Sequence, residues 1–213
     1  MEKLFYQSIL NQTEYEIPKI KWSRFIWNVF HVKNKEEAEN YIKEISERYR
    51  DATHNCFAYT YWANINFDLF WNLEITADNF RHSDDWEPAN TAWKPILAQI
   101  QWQNLHNILI IVTRYFGWTL LWVWWLIQAY SECAKQTILH SKIEEIELTQ
   151  EKTISFDYEN MSLVMNLLNK YNAKITAESH GNIANITFEI NKWFLNSFCS
   201  ELTNLSKGKI SIN

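Results

Sequence analysis

Glycine is the residue that carries a chain through positive φ without steric cost, and this chain has three of them in 213 residues, beside twelve tryptophans. Ordinary proteins hold about 7% glycine. Several tryptophans stand in stretches that otherwise read as turns or helix starts: Trp86 in "SDDWEP", Trp93 in "NTAWKP", Trp118 in "YFGWTL", and Trp122, Trp124 and Trp125 in "LLWVWWLI". Returning eleven of the twelve to glycine would give 14 in 213, the usual proportion. Asn (22), Ile (24) and Lys (15, against five Arg) are abundant, as in a gene rich in A and T. UGA is read as glycine in some bacteria and as tryptophan under another common code. The expectation is that glycine codons have been rendered as tryptophan. Deliberate replacement has no evident purpose, and UGG codons would end the idea. Taken literally, the indoles should crowd and destabilise the first domain.

The remaining composition is that of a globular protein of one or two domains, 47% apolar and 21% charged, too apolar for disorder. The net charge is −5, and neither half is basic, so nucleic-acid binding would need a local patch. Cys56, Cys133 and Cys199 form no CxxC pair, which fits a reducing cytoplasm, and no secretory signal opens the chain. Tyr115 to Ser131 is uncharged for 17 residues, just short of a bilayer span. It reads as a turn entering a helix, and no membrane partner is expected.

Periodicity divides the chain into 1–140 and 141–213, both α+β. The first part reads as a mixed strand (17–32), a helix (34–50), a strand (54–61), a variable loop or hairpin (62–80), a short strand (80–83), a helix (91–101), a buried strand through "NILIIVTRYF" and a long helix (121–140). Asn34 with Glu37 resembles a capping pair. The second part reads strand (143–156, broken), helix (160–171), two strands joined at His180–Asn182, helix (192–205) and strand (209–212). That is the βαββαβ order of a ferredoxin-like unit.

Four polar segments carry the candidate chemistry, and none matches a phosphate-loop, zinc, nucleophile-elbow or dinucleotide motif. Asp84, Asp85 and Glu87 either hold Mg²⁺ or a raised-pKa acid, or form an acidic turn that caps the following helix, with Arg81, Lys94 or Arg114 as neutralising partners; the second reading is preferred. His54 and Cys56 share a strand face, and a hydrogen-bonded histidine beside a buried thiol is preferred to a metal site. Between Arg114 and Trp125 a strand turns into a helix. With glycines restored, its backbone N–H groups could approach an anion beside Arg114, or simply pack helix on sheet.

Taken together, "SRFI" (23–26), "DATHNC.AY" (51–59), "SDDWEP" (83–88), "TAWKPIL" (91–97), "VTRYFGW" (112–118) and "LWVWWLIQAYS" (121–131) resemble the IMPACT family in its bacterial YigZ-like branch. Six departures, at 86, 93, 118, 122, 124 and 125, replace the family's glycine by tryptophan. Trp22, Trp27, Trp62, Trp71 and Trp102 are further candidates, and Trp193 reads either way. The resemblance implies a ribosomal protein S5 domain 2-like N-terminal domain followed by a ferredoxin-like domain, in the order of the last two domains of elongation factor G. Eukaryotic members join an amino-acid-starvation kinase pathway through an extra N-terminal domain, and that link is not carried over.

The expected function is a cytoplasmic, translation-associated regulatory or binding protein, more a binder than an enzyme, that contacts RNA or the ribosome. Its candidate binding residues are His54, Asn55, Asp84, Asp85, Glu87, Thr91, Lys94, Arg114, Tyr115 and Gly117, with His54, Asn55, Lys94, Arg114 and Tyr115 as the contact surface. No catalytic residue, metal or cofactor is assigned. The alternative is a metal- or phosphate-dependent hydrolase or transferase using Asp84, Asp85 and Glu87 with the glycine-rich turn.

Overall fold

A computed structural model describes residues 4–61, 65–67, 73–75 and 80–212. The chain divides into two compact units, Gln7–Glu145 and Met1–Tyr6 with Ile146–Asn213. The class is α+β, with an S5 domain 2-like unit and a ferredoxin-like unit.

In order, the strands and helices up to the end of the first unit are β1 (Phe5–Ile9), β2 (Thr13–Ile20), β3 (Ser23–His31), α1 (Lys35–Arg48), β4 (His54–Thr60), β5 (Ile65–Phe67), β6 (Leu73–Ile75), β7 (Phe80–Ser83), α2 (Trp93–Trp102), β8 (Ile108–Tyr115) and α3 (Val123–Leu139). Five strands form one sheet in the order β2-β3-β8-β4-β7, antiparallel at every pairing. Alternation sends Phe25, Trp27, Val29, Cys56, Ala58, Ile110 and Val112 to one face, under α2 and α3. It sends Phe30, Tyr59, Leu109 and Ile111 to the other, under Ala38 and Ile45 of α1. Because both faces are covered, β8 is apolar almost throughout, as a central strand must be. Asn34 accepts the Glu37 N–H at 2.9 Å, and Glu37 reaches back to the Lys33 N–H at 2.8 Å, so α1 begins on the capping pair.

The mixed strand expected over 17–32 is two strands joined by a two-residue hairpin. Ile20 pairs with Ser23, and the residues between, Lys21 and Trp22, both have positive φ, 45° and 70°. That is the type I′ signature, for which the second position is ordinarily glycine; the tryptophan printed there hid the turn. The reading of 62–80 as a loop or hairpin falls partly outside the described residues, as do Trp62 and Trp71; within them β5 pairs with β6.

The next elements are β9 (Ile143–Glu147), β10 (Thr149–Phe156), a 3-10 turn (Tyr158–Asn160), α4 (Met161–Lys170), β11 (Lys174–His180), β12 (Ala184–Asn191), α5 (Lys192–Ser206) and β13 (Ser211–Ile212). The sheet order β11-β12-β10-β13 places the two outer connections through α4 and α5, as in a split βαβ unit. Ile154, Phe156, Ala184, Ile186, Phe188 and Ile190 face Val164, Leu167, Leu168, Phe198 and Leu202 of the helices. No helix among the described residues is long and apolar enough to cross a membrane.

Candidate functional site

The motif residues of the first unit converge because the sheet register aligns them. Arg114 near the end of β8 lies opposite Phe25 on one side and His54 on the other. Its side chain is buried, 3% exposed, with Nη1 2.5 Å from Glu87 Oε1 and Nη2 3.4 Å from Ser23 Oγ. The same Glu87 oxygen accepts from Tyr130 Oη of α3 at 2.8 Å. Ser23 Oγ also accepts the Gly117 N–H at 3.2 Å. One ion pair therefore joins β8, the 84–88 turn, the start of β3 and α3. Phe25 and Phe116 flank the guanidinium at 5.7 and 5.8 Å from their ring centres.

Burial sets the chemistry of the neighbours. Desolvation pushes the Tyr130 hydroxyl well above its ordinary range, so it stays a donor to Glu87. It likewise pushes the Cys56 thiol up; Sγ lies 3.0 Å from the Asp84 carbonyl oxygen and 3.3 Å from Tyr130 Oη. Such a thiol is inert rather than nucleophilic. His54 Nδ1 is 2.7 Å from the Asp85 carbonyl oxygen, to which it donates, while Nε2 faces Glu87 Oε1 at 3.7 Å.

Each acidic residue already has its partners. The Asp84 carboxylate accepts the N–H groups of Asn90 (2.6 Å), Ala92 and Trp93 (both 3.0 Å), satisfying donors at the start of α2 that have no intrahelical partner. Asp85 accepts the Asn55 N–H at 2.6 Å. Glu87 neutralises Arg114, while Arg81 pairs instead with Glu39 at 3.0 Å. Among the described residues no group of three or more His, Cys, Asp or Glu side chains is placed to hold a metal ion. His82 stacks on Trp93, ring centres 3.7 Å apart.

Of the residues expected on a contact surface, one is inside and a second, partly buried, is tied up by its neighbours. Arg114 is buried as described, because its strand is covered on both faces. Asn55 is held by Asp85 and by Thr113, whose hydroxyl donates to Asn55 Oδ1 at 2.8 Å. Thr91 is also buried and donates to the Pro88 carbonyl at 2.7 Å. Lys94 is exposed. Tyr115 is half-buried, donates to Asp51 at 2.9 Å and lies under the Arg24 guanidinium, 5.3 Å from the ring centre. Gly117 is a wedge: a Cβ there would stand 2.4 Å from the Trp22 carbonyl carbon and 2.6 Å from the Ser23 nitrogen, so no other residue fits.

Sequence reasoning did not bring Ser23 and Tyr130 into this cluster. Tyr130 carried a usable signal, since a phenol on the buried stripe of a helix must find an acceptor. Nor do the indoles crowd the interior as expected of a literal reading: Trp86, Trp118, Trp122 and Trp124 point to solvent. Among the described residues Trp27 is fully buried in β3, and Trp93 packs partly buried against the core.

Comparison with known proteins agrees with this geometry. The Impact N-terminal domain family matches residues 21–138, which contain every residue of the cluster, and a domain of unknown function, DUF1949, matches 154–209. An IMPACT family member of Haemophilus influenzae is 31% identical over 210 residues, covering 93% of this chain and 96% of that protein. The IMPACT family member YvyE of Bacillus subtilis is 30% identical, covering 97% and 89%. A crystal structure described only as that of an hypothetical protein superposes with a TM-score of 0.68 at 24% identity, over 100% of this chain and 97% of the other; at that identity it speaks for the fold. With its first unit matched from the β2–β3 turn to the end of α3, this chain belongs to the IMPACT family.

Proposed function

We propose that the chain is a translation-associated binding protein whose first unit contacts RNA, on the ribosome or free. The observation that carries the reading is the engagement of Asp84, Asp85 and Glu87. Each is committed to a helix start, a strand N–H or a buried guanidinium, a pattern that suits a rigid scaffold better than an acid–base or metal centre. The first unit also carries groups suited to RNA: Arg24, which lies over Tyr115 and is paired with Glu16 at 2.8 Å, Phe116 with 47% exposure, and Lys94 on α2. Aromatic faces and guanidinium planes hold unstacked bases, and cations neutralise phosphate.

The net charge of −5 opposes any extended phosphate contact, so binding rests on these few groups and depends steeply on salt. Fluorescence anisotropy with a labelled single-stranded RNA is expected to show binding at low salt that is lost as salt rises. Arg24→Ala with Lys94→Ala should weaken it about tenfold or more, as removal of two phosphate or base contacts does. Absence of binding at low salt, or binding indifferent to both substitutions, removes the reading. Arg114→Ala is unsuitable, because that side chain holds the fold.

A further inference from the structure

We infer that the natural chain carries glycine, not tryptophan, at positions 22, 86, 102, 118, 122 and 124. The inference rests on backbone geometry and exposure, and is independent of the RNA-binding reading.

Two positions are decided by the backbone. Lys21–Trp22 and Asp85–Trp86 are paired positive-φ steps, with φ of 45° and 70°, and 42° and 69°. Asn, Asp and glycine tolerate this region, whereas a bulky residue there is an outlier. Most of the other positive-φ sites follow that rule: Asn90, Asn104, Asn107 and Asn172 are asparagines, while Lys207, closing α5 at φ 53°, is a lysine. Trp22 and Trp86 break it, each at the second step of its pair, where tight turns favour glycine. The two turns are structurally essential, since one closes β2 on β3 and the other brings Asp84 to α2 and Glu87 to Arg114.

Exposure decides the other four. Trp118 is 98% exposed, Trp102 at the end of α2 83%, Trp122 79% and Trp124 59%, beside 95% at Trp86 and 72% at Trp22. Tryptophan is among the most buried residue types on average, and these indoles stand largely in solvent, Trp124 meeting the ring of Trp125 with centres 4.8 Å apart. Trp22, Trp86 and Trp118 each adjoin a member of the buried cluster, namely Ser23, Glu87 and Gly117. Trp27, buried in a strand, and Trp93, stacked on His82, show neither feature and lie outside the set.

The codons read from the source DNA provide the test. TGA is expected at 22, 86, 102, 118, 122 and 124; TGG at position 22 or 86 overturns the inference, and TGG at any of the other four overturns its exposure argument. A recombinant comparison checks the physical argument without reference to the gene. Trp22→Gly with Trp86→Gly should raise Tm by about 5 °C or more, from relief of strain at the two left-handed sites. Trp193→Gly, inside α5 with ordinary helical backbone, should lower it. A double variant whose Tm stays level or falls overturns the argument, and RNA binding by either chain leaves it untouched.

Discussion

The two units stabilise themselves by different means. In the second, the core is apolar and the charges stay outside: Lys170 and Glu201 meet at 2.7 Å with 57% and 30% of their side chains exposed. In the first, a charged pair is taken inside, with Arg114 and Glu87 exposing only 4% and 3% of their side chains. A buried pair is a poor source of net stability but a strict one of geometry. It costs desolvation to form, and breaking it leaves an uncompensated charge. Placing it where four segments meet makes the assembly of the 84–88 turn, β3, β8 and α3 all-or-none, whereas the outer pair of the second unit merely decorates a fold that hydrophobic burial already determines.

The largest expected effect tests the inner pair. Arg114→Leu should destabilise the first unit by about 3–5 kcal/mol in urea unfolding, and Glu87→Leu added to it should recover most of the loss. A double variant as unstable as the single one would mean that the pair supplies net stability, which would erase the contrast. The next effect is smaller. Burial lowers the His106 imidazole from 6.5 to about 4, so between those values the unfolded chain binds a proton that the folded chain refuses. Stability should therefore fall as pH drops from about 6.5 to about 4, by up to about 3 kcal/mol. His106→Asn should flatten that slope, measured by urea midpoints across the window. The smallest effect belongs to the second unit: Lys170→Ala should leave its unfolding midpoint unchanged within error, since exposed pairs contribute little. A clear loss would place both units in one class.

The same contrast explains what was legible in the sequence. The second unit was readable in full order because its elements announce themselves by period: Ile186, Phe188 and Ile190 alternate, and Phe194, Phe198 and Leu202 recur at helical spacing. The first unit's helices and central strand were equally plain. Its β2–β3 turn was not, since the residue that would mark it is printed as tryptophan. Burial of Arg114 was also hidden: a charged residue at a strand end reads as surface, and only the cover on both sides of β8 puts it inside. Asp84 as a helix cap was legible from its place before α2, whereas the donors it takes, six to nine residues on, depend on how the turn folds.

The order of the strands also bears on how the chain is made. β8 lies between β3 and β4 in the sheet, yet it follows both in sequence by nearly fifty residues or more. During synthesis, β3 and β4 leave the ribosome with their inner edges unpaired and their apolar residues uncovered. Neither can close on the other, because the strand that separates them has not yet been translated. The nascent first unit is thus most prone to aggregate until Tyr115 has emerged, when one late insertion caps both edges.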